Sequence, residues 1–147
     1  LAIDTCGYCD FSQFEKILPY ADLFLYDMKM IDAQRHEKFT GVKPDLILNN
    51  LKKLHDAGAL IDLRIPIIGK VNDDDEEIMR MCSWLKTNGV NPYKINLLPY
   101  HDAGAVKYER LRLDYEAETM ERPSDERMHE IKAMFEKEGF HNILIGG

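Results

Sequence analysis

The sequence lacks the features that would point to a membrane, to nucleic acid or to secretion. No apolar run approaches the roughly 20 residues that a membrane-spanning helix needs. The 147 residues carry a net charge of −7, which disfavours binding to phosphates because such binding needs a basic face. The sequence has three cysteines, an odd number, and lacks a basic-then-apolar leader pattern. Together these two features indicate that the cysteines are reduced thiols. We expect a cytoplasmic protein with no nucleic-acid or membrane partner.

The first residues also lack a lead-in to the fold. Residues 1–3 are apolar and read as the end of a strand, with no initiator Met before them. Residues 1–147 are enough for one domain. We interpret them as the C-terminal portion of a longer protein, with the chain cut inside its fold.

What is present is an alternation of short apolar runs and helical patterns. The runs predict strands at residues 1–3, 22–27, 60–68, 94–98 and 143–145. The run at 23–26 is unbroken, which is typical of a strand buried on both faces. Helices are predicted at 13–18, with Ser12 as N-cap, at 33–39, from 44 to 58, from 75 to 88 and at 125–137.

A polar segment at residues 102–122 is too long for a plain connector, and we expect it to be functional or mobile. The order of elements predicts an α/β fold with a parallel sheet and right-handed crossovers. Since the strands are too few to close a barrel of eight, we expect a partial (β/α) barrel.

Polar side chains stand where the predicted strands end. Because the carboxyl ends of parallel strands share one rim, we expect these side chains to lie together. Such a set suits a small zwitterionic ligand, with basic groups for its carboxylate and acidic groups for a cation or an ammonium. The set comprises Asp4, Thr5, Asp27, Lys29, Arg64 and His101.

Cys6 and Cys9 form a CxxC pair beside the first of these strand ends. The pair could be a redox couple or half of a metal site. A metal site needs two more ligands, and the other cysteine, Cys82, falls on a predicted buried helix face. We therefore interpret the pair as structural or unused, and a redox role remains the alternative.

Five blocks of residues, in order along the chain, carry a resemblance to a known family. They are DTCG at 4–7, LYDMK at 25–29, TGV at 40–42, RIPII with VNDD at 64–74, and LLPYH at 97–101, continuing to Gly104, Lys107 and Tyr108. Together they resemble the glycyl-radical-enzyme activating enzymes, which are radical S-adenosylmethionine (radical SAM) enzymes. The resemblance implies that the chain is the second half of a radical SAM (β/α)₆ barrel.

The resemblance also implies an activity, cofactors and roles for residues. In that family a [4Fe–4S] cluster and S-adenosylmethionine together give a 5′-deoxyadenosyl radical, which takes a hydrogen from a glycine of the partner enzyme. A monovalent cation beside the S-adenosylmethionine carboxylate would be held by Asp4, Thr5, Asp27 and the backbone of Leu25. Contacts to S-adenosylmethionine itself would come from Lys29, Arg64, His101 and the backbone of Leu98.

Two family motifs, CxxxCxxC for the cluster and Gly-Gly-Glu, are not found in these residues. The resemblance therefore places the cluster ligands upstream, with no catalytic residue and no iron–sulfur ligand in this chain. Cys6 and Cys9 lack a third cysteine at the right spacing and are not substitutes. Gly69 and Lys70 also stand where the family usually has Pro-Gly.

The resemblance names partners as well. They are a glycyl radical enzyme, pyruvate formate-lyase or a related one, and a low-potential electron donor. An exposed edge of the first strand would also favour self-association of the chain.

Two alternative hypotheses remain. Asp27, Lys29 and Asp32 fit DxKxxD, a motif of (β/α)-barrel decarboxylases and lyases that act on sugar phosphates. Such an enzyme needs a glycine-rich phosphate-binding turn late in the chain, which only Gly146 and Gly147 could begin. The other alternative is a non-catalytic barrel that binds a partner protein.

Overall fold

One parallel sheet organises the computed structural model, which describes residues 1–101 and 120–146. The predicted loop at residues 102–122 and the motif residues Gly104, Lys107 and Tyr108 lie largely outside this described part. Five strands stand side by side in their chain order, all parallel to their neighbours. They are β1 (Ala2–Thr5), β2 (Leu23–Asp27), β3 (Ile61–Ile67), β4 (Lys94–Pro99) and β5 (Ile143–Ile145). The predicted α/β fold with a parallel sheet is confirmed.

Five α-helices are described between these strands. They are α1 (Phe11–Ile17), α2 (Ala33–Thr40), α3 (Asp45–Asp56), α4 (Asp75–Thr87) and α5 (Asp125–Lys137). The predicted N-cap of α1 was wrong, because the cap is Asp10, whose carboxylate accepts a hydrogen bond from the Ser12 N–H at 2.9 Å. Asp10 has the extended backbone that a cap requires, whereas Ser12 already lies in the first helical turn.

The order of the strands explains why the sheet has two different faces. Right-handed crossovers between strands that follow one another in sequence place every connecting helix on the same side. The strand side chains on that core face pack with α1, α3, α4 and α5 in one apolar cluster. They include Phe24, Tyr26, Leu63, Ile65, Leu97 and Ile143.

The opposite face is polar and partly open. We call it the polar face, and the register assigns to it Asp4, Leu25, Asp27, Asp62, Arg64, Pro66, Lys94, Asn96, Leu98 and Leu144. The expectation that residues 23–26 are buried on both sides was wrong, since Leu23 and Leu25 are half-buried while Phe24 and Tyr26 are buried. The described helices cover only one side of β2.

Tyr26 ties the turn after β1 to the helical layer. Its hydroxyl donates to the Ile47 carbonyl of α3 at 2.5 Å. Gly7 packs so closely against that ring that an added Cβ would stand 1.8 Å from the Tyr26 hydroxyl. Gly7 also has a φ of +75°, so two independent constraints demand glycine there.

A second apolar cluster lies beyond the carboxyl ends of the strands, near the polar rim. It contains residues from the segments that follow β2, β3 and β4, together with Met120, the first described residue after the undescribed segment. Its members are Met30, Phe39, Ile68, Val71, Tyr100 and Met120. Next to it, Gly69 and Glu121 pair as a short antiparallel bridge. Within the described residues no helix combines the length and apolarity needed to cross a membrane.

His36 is buried inside the turn that ends α2. It is 2% exposed, and its Nδ1 lies 2.6 Å from the Val42 carbonyl, to which it donates. Burial lowers the pKa of His36 below its ordinary value, although the Val42 carbonyl partly offsets that effect. The native protein therefore holds this imidazole neutral at pH values where the unfolded chain already takes up a proton.

The free energy of unfolding should therefore fall as the pH drops below about 6.5, the ordinary pKa of histidine, because the unfolded state binds more protons there. In a His36→Gln variant this part of the pH dependence should be absent. Chemical denaturation at several pH values between 7 and 5 measures both slopes. His129→Gln, on the exposed side of α5, is the control and should keep the wild-type slope.

Candidate functional site

Arg64 joins two carboxylates across three strands of the polar face. Its Nε donates to Asp27 Oδ1 at 2.7 Å in the neighbouring strand β2. Its two terminal nitrogens donate to the two oxygens of Asp4 in β1, at 2.5 and 3.1 Å. The side chain thus reaches across β2, and the paired contact with Asp4 is the two-pronged geometry that guanidinium and carboxylate groups favour.

The sequence predicted that Arg64 stands at the end of its strand. In the structure it does not. β3 continues to Ile67, whereas β2 ends at Asp27, the residue that pairs with Arg64 in register. Because β3 is the longer strand, its middle lies level with the end of β2. The predicted gathering of Asp4, Asp27 and Arg64 occurs through this lateral alignment.

The three charges differ in their contact with water. The side chains of Arg64 and Asp27 are 22% and 25% exposed, whereas that of Asp4 is 65% exposed. Burial acts to lower the pKa of Arg64, but hydrogen bonds and charges from Asp27 and then Asp4 outweigh it, so the pKa is raised. The guanidinium is thus held as a cation between a sheltered carboxylate and an open one.

The other predicted site residues lie around this trio without joining it. Thr5 follows Asp4 and so faces the core side, where its Oγ1 accepts from the Gly7 N–H at 2.9 Å. Leu25 stands beside Asp4 in register, and Leu98 stands beside Pro66. Lys29 is half-buried just beyond β2.

His101 is exposed, just beyond β4. Among the described residues, no hydrogen bond or ion pair links the side chains of Lys29 or His101 to the trio.

Two fully buried polar residues, Asn72 and Glu77, fix the loops of this rim. Asn72 donates to the carbonyls of Lys29 and Pro66 at 2.8 and 2.7 Å, and its Oδ1 accepts from the Ile68 N–H. Glu77 lies in the acidic first turn of α4, and it is 0% exposed.

The Glu77 carboxylate accepts from the backbone N–H groups of Ile31 and Asp32. Asn72 and Glu77 thus position the loop that carries Lys29.

A second polar group lies beside the trio on β3 and β4. Asn96 donates through Nδ2 to Asp62 Oδ1 at 2.7 Å, and Lys94 pairs with Asp62 Oδ2 at 2.9 Å. Asn96 Oδ1 is buried and has no hydrogen-bond partner within residues 1–101 and 120–146. The sequence carried a signal for this group, since polar residues at 62, 64, 94 and 96 alternate with apolar ones inside both strands.

The cysteines form no larger cluster with other ligand-type residues. Cys6 is exposed, Cys9 half-buried and Cys82 buried, all as free thiols. Burial, followed by the nearby Cys6 and Asp10, raises the pKa of Cys9 and so favours its thiol form. Across residues 1–101 and 120–146, no group of three or more His, Cys, Asp or Glu side chains is placed to hold a metal ion.

The DxKxxD motif is also divided by the structure. Asp32 is the N-cap of α2, and its carboxylate accepts from the Arg35 N–H at 2.9 Å. Asp27 instead pairs with Arg64 on the polar face. Two carboxylates that such a lyase would use together therefore serve different local structures.

Solved structures share this fold. A domain of pyruvate-formate lyase-activating enzyme from Bacteroides vulgatus superposes with a TM-score of 0.82 at 29% identity, over 99% of this chain and 80% of that one. A radical SAM methyltransferase from Sphaerobacter thermophilus matches in fold, with a TM-score of 0.69 at 15% identity over 98% of this chain and 39% of that one. The fold is therefore a partial (β/α) barrel of the radical SAM class.

Sequence comparison identifies the family within that class. The chain is 48% identical to the trans-4-hydroxy-L-proline dehydratase activating enzyme of Clostridioides difficile, over 100% of this chain and 48% of that protein. It is 37% identical to the choline trimethylamine-lyase activating enzyme of Oleidesulfovibrio alaskensis, over 98% of this chain and 47% of that protein.

A third relative is the pyruvate formate-lyase-activating enzyme of Clostridium pasteurianum, 34% identical over 89% of this chain and 54% of that protein. No protein-family model matches the chain. The chain belongs to the glycyl-radical-enzyme activating enzymes, and it spans about half the length of the curated relatives it matches.

Replacing Asn72 by Ala should destabilise the fold by roughly 3 kcal/mol, because one buried and two partly buried backbone groups lose their partner at once. The control is Asn49→Ala on the exposed side of α3, which should change stability by less than about 0.5 kcal/mol. Urea unfolding followed by circular dichroism measures both values. Equal small effects would show that the Asn72 contacts carry little energy.

Proposed function

We propose that this chain is the C-terminal portion of a cytoplasmic radical SAM activase that generates the glycyl radical of a partner glycyl radical enzyme. The observation that carries the proposal is the Asp4–Arg64–Asp27 cluster on the polar face of a radical SAM fold. Its groups have the chemistry that the zwitterionic end of S-adenosylmethionine requires. Family membership supports the same reaction class.

The residues present fit S-adenosylmethionine and a monovalent cation. Arg64 and Lys29 would bind the carboxylate of S-adenosylmethionine, because both are cationic and Arg64 presents several N–H donors. Asp4 and Asp27, with the Leu25 carbonyl, would supply the oxygen ligands that a hard cation prefers. Thr5 would join them through its backbone carbonyl, because its side chain faces the core side. The backbone of Leu98 would contact the adenine, and the side chain of His101 would contact polar groups of S-adenosylmethionine.

The described residues do not fit an iron–sulfur cluster, since they offer no set of three or more metal ligands. We therefore propose that the [4Fe–4S] ligands belong to a part of the activase outside this chain. When bound, the cluster and S-adenosylmethionine supply the 5′-deoxyadenosyl radical, with the electron coming from a low-potential donor. The role proposed for this chain is to bind and orient S-adenosylmethionine.

For the partner, trans-4-hydroxy-L-proline dehydratase is the first candidate to test. The relative named for activating that enzyme is 48% identical to this chain, against 34% for the Clostridium pasteurianum activase of pyruvate formate-lyase. Pyruvate formate-lyase is the second candidate. Self-association through the edge of β1 would be a separate property, and light scattering of the isolated chain would test it.

Asp27→Ala in the complete activase should weaken S-adenosylmethionine binding about tenfold, which corresponds to about 1.4 kcal/mol, while the cluster absorption spectrum stays intact. Anaerobic isothermal titration calorimetry measures the affinity. Asp22→Ala, at the amino end of the same strand, is the control and should bind normally. An unchanged affinity in Asp27→Ala would refute the cation-site assignment.

Replacing both Cys6 and Cys9 by Ser in the complete activase should leave its iron content unaltered, because neither thiol is proposed as a cluster ligand. Iron and labile sulfide are assayed after anaerobic reconstitution. A loss of iron relative to wild type would show that the CxxC pair does bind the cluster. Cys82→Ser, in the apolar core, controls for general loss of folding.

A further inference from the structure

The cation site proposed above has an occupant in this structure, and that occupant is Arg64. The guanidinium engages both oxygens of Asp4 and one oxygen of Asp27. A monovalent cation between these carboxylates would need the same oxygens and would repel the guanidinium. Because arginine keeps its charge at any pH that a protein survives, Arg64 must move aside for the cation to bind.

A position for the displaced guanidinium exists on the next strand. Asn96 is the register partner of Arg64 in β4, on the same face of the sheet and on the side away from Asp27. Its Oδ1 is buried and unpartnered, and the whole residue is 4% exposed. Buried polar atoms in folded proteins nearly always have a partner, so an unpaired acceptor beside an arginine requires an explanation.

The orientation of the Asn96 amide is fixed by its neighbour. Asp62 accepts from Nδ2 at 2.7 Å and cannot donate when ionised, so Oδ1 is the atom left free. Lys94, the cationic residue of β4, is already paired with Asp62. The Arg64 side chain is long enough to reach Asn96 Oδ1. In this structure it spans two strands to contact Asp4, whereas Asn96 lies only one strand away, at about 4.8 Å.

We propose that Asn96 is a positioning residue for Arg64, accepting a hydrogen bond from the guanidinium when Asp4 and Asp27 hold a monovalent cation. This inference rests on the cation site of the proposed function. Movement from Asp4 to Asn96 draws the positive charge from the edge strand β1 toward the centre of the sheet. There its remaining N–H donors face a carboxylate bound beside the cation.

A double-mutant cycle on sodium binding tests the proposed role of Asn96. The melting temperature of the 147-residue chain is measured against sodium chloride concentration, with choline chloride holding the ionic strength constant, and the shifts give an apparent Kd. Arg64→Met removes the competing charge and should tighten sodium binding relative to wild type. Asn96→Leu should weaken it about fivefold when Arg64 is present and have no effect in the Arg64→Met background.

An equal effect of Asn96→Leu in both backgrounds would mean that Asn96 supports the fold and does not position Arg64, which overturns the inference. No effect in either background would overturn it as well. If Arg64→Met fails to bind sodium, the cation site itself is refuted together with this inference. Calorimetry of S-adenosylmethionine binding to the complete activase then decides separately whether the rest of the proposed function survives.

A crystal of the wild-type chain with thallium(I) provides a second measurement that does not depend on folding of the Asn96 variant. Anomalous scattering should place thallium between Asp4 and Asp27, with the Arg64 guanidinium within hydrogen-bond distance of Asn96 Oδ1. Thallium bound there while Arg64 still contacts Asp4 would overturn the inference.

Discussion

The charge balance of Arg64 against Asp4 and Asp27 is the interaction on which the polar face depends. A guanidinium on the central strand β3, 22% exposed, needs carboxylate partners, and the two strands on one side of it, β2 and β1, each supply one. The same pairing brings residues 4, 27 and 64 to one place although the chain separates them widely. It also makes the rim of the sheet a place where positive charges compete for few carboxylates.

This arrangement follows from a sheet that the helices cover on one side only. Consecutive parallel strands with right-handed crossovers bury Phe24, Tyr26 and Leu63 beneath the helices and leave the alternate residues outside. Charged residues inside these strands are tolerated because they have partners of opposite charge: Arg64 pairs with Asp4 and Asp27, and Asp62 pairs with Lys94. Asn72 and Glu77 add rigidity by occupying the backbone groups of the loops at the rim.

The relationship to the activating enzymes gives this polar face a context. The described chain supplies cationic and anionic groups suited to the polar end of S-adenosylmethionine, but no ligand set for a cluster. The division of labour proposed here leaves radical generation to the complete protein and binding of the cofactor's amino-acid part to this chain. The Asn96 proposal adds that Arg64 has two positions and that a cation selects between them.

The sequence by itself determined the parallel α/β fold, the order of its elements and the family, because apolar periodicity and short motifs are local features that can be read directly from the sequence. It also indicated that Asp4, Asp27 and Arg64 would meet. Only the tertiary structure decided that Arg64 lies inside β3, that Asp10 caps α1 and that Glu77 is buried. Strand lengths, register and the side that helices cover arise from contacts between distant segments, and no local pattern records them.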